Sequence, residues 1–178
     1  EYTLKGKFLE GFGEEILMNV EDDYLAFMKK NIFMGPRKIK VVFDPGNGTT
    51  SVIIKKVIEM FENIDAIYIN EESDGNFPNH HPDPAVEENM DQLKKAVKDN
   101  KADLGIGFDG DGDRIGIIDE KCKFIPTDKF MIIIVRSLIR TAECKKFLYD
   151  VKCSKSLEDE IVNLGGIPFC YRTGASYT

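Results

Sequence analysis

Ile39-Lys40-Val41-Val42-Phe43-Asp44-Pro45-Gly46-Asn47-Gly48 is the stretch whose reading decides the architecture. Its first five residues are apolar and mostly β-branched apart from Lys40, which suits a short strand, and the run stops at a turn rich in Pro, Gly and Asn. From Thr49 onward Ile53, Val57, Ile58 and Phe61 recur at helical spacing, so the turn leads from a strand into a helix. The same alternation continues downstream. Ala66 to Ile69 reads as a second strand, and Pro84 to Asp99 as a second helix with Val86, Met90, Leu93 and Val97 on one face. Asp103 to Phe108 reads as a third strand. Strands and helices alternating at this spacing predict an α/β fold, an α/β/α sandwich with a mostly parallel mixed sheet.

Working outward, Ile115 to Asp119 and Lys123 to Ile125 form a hairpin around Glu120-Lys121-Cys122 that adds an antiparallel strand. Within Thr127 to Ala142, Phe130 to Val135 is apolar throughout and could be a strand. The length of the whole segment, with Arg136 and Arg140 four residues apart, favours a buried helix over a strand. Phe147 to Asp150 then restarts the strand-to-Asp-to-turn layout, followed by a helix bearing Leu157, Ile161 and Leu164 and a strand from Ile167 to Tyr171. This predicts the truncated start of a second similar unit. Upstream, Ile16, Val20, Tyr24, Phe27 and Met28 place one amphipathic helix before a boundary at Gly35-Pro36. The expected division is therefore 1–35, 36–143 and 144–178, within a piece of a longer chain.

Composition limits the function classes. With 42 % hydrophobic residues and twelve Phe among 178, the chain has material for a core. A net charge of −7 argues against a nucleic-acid or anionic-membrane partner, since both need clustered Lys and Arg. No apolar run reaches membrane-spanning length. The four cysteines, at 122, 144, 153 and 170, include no Cys-x-x-Cys pair and fit reduced, partly buried thiols of a cytoplasmic protein.

Asp109-Gly110-Asp111-Gly112-Asp113-Arg114 directly follows the third strand. Carboxylates two apart would share one face of a straight strand, but here the intervening glycines let the chain curl so that all three converge. Their mutual repulsion is relieved by a divalent cation, and a small set of hard oxygen ligands suits Mg²⁺ with positions left for a phosphate oxygen. The carboxyl end of a strand is also where α/β proteins bind ligands. A calcium loop of EF-hand type would put Asp109, Asp111, Asp113 and Glu120 at its first, third, fifth and twelfth positions. It needs Gly where Arg114 stands, however, and helices where this sequence has strands. A haloacid-dehalogenase-like phosphatase would use Asp109 as a nucleophile, yet that motif normally opens its domain. A cation-binding module without catalysis is the other alternative, because a metal loop does not by itself prove chemistry.

Asp109 to Arg114, together with Gly75-Asn76-Phe77-Pro78-Asn79-His80-His81-Pro82-Asp83-Pro84, resembles the α-D-phosphohexomutases, specifically the bacterial phosphomannomutase/phosphoglucomutase type. The Asp44 to Gly48 turn, Asp150-Val151-Lys152-Cys153-Ser154 and Arg172-Thr173-Gly174 support the resemblance, which runs from about residue 16 to the end. It implies a four-domain isomerase that interconverts hexose 1-phosphate and hexose 6-phosphate of mannose and glucose through an enzyme phosphoserine and a bisphosphate intermediate. It further implies that Asp109, Asp111 and Asp113 hold Mg²⁺ and that Arg114 serves the phosphoserine or the reacting phosphoryl group. Lys152 then contacts substrate and assists proton transfer, and Arg172, Thr173 and Gly174 bind substrate beside it. The family usually has a histidine after that Thr-Gly, where this sequence has Ala175. The phosphoserine loop, the sugar-binding loop and the distal phosphate loop have no counterpart in these residues, so the remaining domains of the parent chain are expected to supply them and the piece alone to be inactive.

His80 and His81 are adjacent, and in an extended segment they point in opposite directions, which makes them poor joint ligands. With Pro78, Pro82 and Pro84 around them they read as a structural lead-in to the second helix. Asp44 to Gly48 lacks the Gly-Lys-Ser/Thr ending of a P-loop and reads as a tight strand-to-helix turn.

Overall fold

The computed structural model describes residues 5, 6 and 11–174, so Ala175 lies outside the described residues. The chain divides into two compact units, 1–33 and 34–178. The first holds a single helix, α1 (Glu21–Asn31). It starts five residues later than Ile16, and no residue of it is buried. The apolar spacing is there, but among the described residues of this unit nothing covers it.

In the second unit the strands are β1 (Ile39–Asp44), β2 (Ile64–Tyr68), β3 (Leu104–Phe108), β4 (Ile115–Asp119) and β5 (Phe124–Ile125), in the spatial order β2-β1-β3-β4-β5. β1 pairs in parallel with β2 and β3, while β3–β4 and β4–β5 are antiparallel. Helix α2 (Ile54–Ile58) follows a 3-10 turn over Thr49–Val52, and α3 (Asp91–Asn100) follows one over Glu87–Met90.

Side-chain alternation along β1 divides the core into two layers. Val41 and Phe43 pack with Ile54, Ile58, Leu104, Ile106 and Phe108 on the α2 side. Val42 faces the other way, with Met90, Leu93, Val97 and Ile118 on the α3 side. The glycines of β3 and β4 explain how α3 comes so close. A Cβ at Gly105 would lie 2.7 Å from Val97 Cγ2, and one at Gly107 or Gly116 would lie within 2.9 Å of Met90 Cε. These sites hold glycine because helix side chains occupy the space.

Three expectations change in detail. Of the residues expected to be buried after Thr49, none is fully so, and Ile54 is the buried one. The segment starts as a 3-10 turn, which rotates the inward face. Val86 precedes the helix in an extended conformation and is 42 % exposed, so the inward face of α3 begins at Met90. Helix α4 (Thr127–Leu138) exists but is not buried throughout, since Ile133, Ile134 and Leu138 are exposed. Only one of its faces is covered, through Met131, Ile132 and Val135.

That face packs on the last part of the chain, where β6 (Lys146–Asp150), α5 (Lys155–Asn163) and β7 (Ile167–Tyr171) form a parallel two-stranded sheet with its crossover helix. Its start repeats β1 closely. Asp44 and Asp150 each end a strand, and the Oδ1 of each accepts from the backbone N–H two residues on, Gly46 at 2.9 Å and Lys152 at 2.8 Å. All four cysteines are free thiols; Cys122 and Cys153 are half-buried, but Cys144 and Cys170 are exposed. Among the described residues no helix is long and apolar enough to cross a membrane.

Candidate metal centre

The loop Asp109–Arg114 closes the β3–β4 hairpin, in which Phe108 faces Ile115. The Asp109 N–H donates to the Arg114 carbonyl at 3.2 Å, and the Gly112 N–H donates to the Asp109 carbonyl at 3.2 Å. Gly112 has φ +78, and a side chain there would strike the Thr50 hydroxyl, so glycine is required twice over. This curl brings Asp109, Asp111 and Asp113 together, each offering a carboxylate oxygen within 4.8 Å of the others. Asp109 is buried; the other two reach solvent.

Arg114 organises the inner end of the loop. Its backbone N–H donates to Asp109 Oδ1 at 3.0 Å, its Nε to Asp109 Oδ2 at 2.7 Å, and its Nη1 to Asp83 Oδ1 at 2.9 Å. Burial by itself pushes the Asp109 carboxyl up, but the hydrogen bonds and charge of Arg114 outweigh it and hold the group below the usual carboxylate range. Asp113 moves the other way. The negative charge of Asp111 raises it first, and contact with Asp109 adds to the effect. Such crowding of like charge is what a divalent cation relieves, and an all-oxygen set with two solvent-facing members fits Mg²⁺ while leaving positions for other oxygens.

A second layer of contacts supports the loop from β1. The Thr49 N–H donates to the Gly110 carbonyl at 2.9 Å. Gly48 lies so close that a Cβ would sit 2.8 Å from the Gly110 carbonyl oxygen. The turn itself is pinned by Asp44, which is 2 % exposed and accepts from Gly46 N, from Asn70 Nδ2 at 3.0 Å and from His80 Nε2 at 3.0 Å. Asn79 Nδ2 donates to Asn47 Oδ1 at 2.8 Å. The rings of Phe77 and Pro82 face Gly110.

The structure thus brings Asp109, Asp111, Asp113 and Arg114 together on the first sheet. The other residues singled out in the sequence gather at the carboxyl ends of β6 and β7. Lys152 is exposed in the turn after β6, Thr173 Oγ1 donates to Asp150 Oδ2 at 3.1 Å, and the Arg172 guanidinium lies 5.6 Å from the Tyr171 ring centre. Gly174 has φ +134. His80 and His81 do diverge, His80 inward onto Asp44 and His81 to solvent. Asp83, Asp44 and Asn79 received no role from the sequence. The available signal was the connection 69–86, too long and too varied in polar residues for a passive link between strand and helix.

Residues 22–123 match the family of phosphoglucomutase/phosphomannomutase, alpha/beta/alpha domain II. The chain belongs to this family. A phosphomannomutase/phosphoglucomutase of Pseudomonas syringae pv. tomato is 39 % identical over 159 residues, covering 89 % of this chain and 34 % of its own. The crystal structure of a phosphoglucomutase/phosphomannomutase family protein from Burkholderia thailandensis superposes with a TM-score of 0.91 at 30 % identity, over 98 % of this chain and 38 % of that one. An N-acetylphosphoglucosamine mutase of Aspergillus fumigatus, in complex with GlcNAc-6P and magnesium, shares the fold with a TM-score of 0.58 at 20 % identity, over 88 % of this chain and 33 % of its own. The chain spans about a third of the length of the curated phosphoglucomutase/phosphomannomutase relatives it matches.

Proposed function

We propose that this chain carries the metal- and phosphoryl-handling centre of an enzyme that interconverts hexose 1-phosphate and hexose 6-phosphate, with glucose and mannose as the sugars. The observation that carries this reading is the convergence of three carboxylates within 4.8 Å beside an arginine fixed at two of its nitrogens. The names of the phosphoglucomutase/phosphomannomutase relatives support the reaction class, and the magnesium and GlcNAc-6P of the Aspergillus mutase support the cofactor and ligand class.

In this reading Asp109, Asp111 and Asp113 hold Mg²⁺, which when bound supplies positive charge to the oxygens of a transferring phosphoryl group. Arg114 is oriented with Nε on Asp109 and Nη1 on Asp83. Its Nη2 edge donates to a phosphoryl oxygen and stabilises the charge that builds there during transfer. Lys152 binds the substrate from the second sheet, with Arg172, Thr173 and Gly174 shaping the same side. The phosphoserine donor and the remaining sugar contacts come from outside these residues, and the division 1–35, 36–143 and 144–178 belongs to the same proposal. Use of Asp109 as a phosphatase nucleophile is disfavoured, because both its oxygens accept from Arg114 in a buried position.

Titration calorimetry with Mg²⁺ on the chain and on Asp111→Asn tests the centre. Loss of one carboxylate is expected to weaken binding by about tenfold or more. Equal affinity in the two proteins would remove the metal assignment. If the chain binds Mg²⁺ as expected while a longer parent shows no mutase activity, a cation-binding module without catalysis becomes the better description.

A further inference from the structure

Arg114 is anchored at two ends, and only one anchor belongs to the acidic loop. The other is Asp83, thirty-one residues upstream, whose Oδ1 accepts from Arg114 Nη1 at 2.9 Å. An ordinary surface ion pair between mobile side chains contributes little and fixes no geometry. This pair differs because both partners are held independently.

Asp83 is immobilised through its own backbone and side chain. Its N–H donates to the His81 carbonyl at 2.9 Å, and its carbonyl accepts from Asn89 Nδ2 at 2.9 Å. The same Oδ1 that meets Arg114 also accepts from the Ala85 N–H at 3.2 Å. The flanking Pro82 and Pro84 are buried, and three residues back His80 is tied to the buried Asp44. Asp83 therefore stands on a segment fastened to β1, while Asp109 stands at the end of β3. The guanidinium spans the two.

We propose that Asp83 is a positioning residue for the candidate centre: it draws the Arg114 guanidinium to one side, so that the guanidinium holds Asp109 with Nε alone and does not settle across the three carboxylates. The proposal rests on the reading of Asp109, Asp111 and Asp113 as a Mg²⁺ site, and its geometric half stands without the metal. With Asp83 in place Arg114 Nε already lies 3.8 Å from Asp113 Oδ1, and without Asp83 the guanidinium keeps one anchor, on Asp109. It is then free to swing toward Asp113 and compete with a cation for the same oxygens.

The test uses this chain with and without Mg²⁺. Asp83→Asn keeps an oxygen for the Ala85 N–H, so the turn is preserved while the charge is lost; Asp83→Ala is the second variant. In metal-free protein the Arg114 Nε–H resonance is expected to exchange slowly with water in wild type and at least about tenfold faster in both variants. Mg²⁺ affinity is expected to fall about three- to tenfold in Asp83→Asn, and by less than about twofold when the same change is made in an Arg114→Gln background. A protected Nε–H in both variants would overturn the proposal, as would an equal loss of Mg²⁺ affinity in both backgrounds. If wild type binds no Mg²⁺, the metal reading fails on its own account, and the Nε–H measurement still decides whether Asp83 positions Arg114.

Discussion

The imidazole of His80 lies against the end of β1, with Nε2 3.0 Å from Asp44 Oδ2 and Nδ1 3.0 Å from the His81 carbonyl oxygen. Both ring nitrogens face acceptors, and an imidazole satisfies two acceptors only when it is protonated. The hydrogen bond to Asp44 raises the His80 pKa above its ordinary value; burial pulls it down but does not prevail.

A pH dependence of stability follows. Because the folded-state pKa lies above the unfolded one, the stabilisation is complete below about pH 6.5 and is lost as pH rises through the folded value. His80→Gln is expected to lower stability by about 2 kcal/mol at pH 6. Chemical denaturation of both proteins between pH 6 and pH 9 should show the gap narrowing upward. A gap that stays constant across that range would mean the fold does not raise the His80 pKa, and a gap that widens with pH would mean His80 is neutral in the fold.

Gly48 is the point at which the β1 turn touches the acidic loop, and a Cβ there would meet three backbone oxygens, of Gly110, Asp109 and Pro45, within 3.0 Å. Backbone oxygens cannot rotate away as a side-chain tip can. Gly48→Ala is expected to destabilise the fold by about 1–3 kcal/mol and to weaken Mg²⁺ binding by displacing the loop. Thermal unfolding and Mg²⁺ titration of the variant check both effects, and unchanged values for both would show that the turn and the loop are not coupled.

Arg114→Ala separates the two jobs of its charge. In a full-length parent enzyme, turnover is expected to fall about a hundredfold or more while Mg²⁺ affinity changes by less than about threefold. In the metal-free chain the same change should raise the Asp109 carboxyl pKa, because burial is then opposed by the backbone N–H and Asp113 but no longer by the guanidinium's hydrogen bond and charge. Carboxyl-carbon NMR titration measures the second effect, and steady-state kinetics the first. Normal turnover in the variant would make Arg114 a structural bridge.

The chain as given is expected not to interconvert phosphosugars. A mutase must accept a phosphoryl group, retain the bisphosphorylated sugar while it reorients, and return the other phosphate. Residues 1–178 provide a candidate metal centre, Arg114 and Lys152 for that sequence of steps. Loss of several members of a cooperating set leaves essentially no turnover. A coupled assay for glucose 6-phosphate from glucose 1-phosphate, with Mg²⁺ and the bisphosphate activator, checks this. Activity well above the no-protein blank would place the chemistry in residues read here as scaffold.

What the sequence determined by itself was local. Period-two and period-3.6 patterning, with Gly and Pro punctuation, was enough for the order of strands and helices and for the parallel core of the sheet, because each signal lies within a dozen residues. The spacing of Asp109, Asp111 and Asp113 likewise announced that three carboxylates converge, since the glycines that curl the loop are part of the same six residues. Tertiary structure decided the rest. Arg114 meets Asp83, and His80 meets Asp44, only because β2, β1 and β3 are parallel neighbours in the sheet, so that the connections leaving their carboxyl ends, 69–86 from β2 among them, share one edge. No local pattern specifies which of many charged residues will find each other there. The same holds for the exposed side of α4 and for the glycines of β3, whose reason is a helix packed above them. Pairing at long separation is set by topology, and topology is the sum of many contacts that no single stretch of this chain contains.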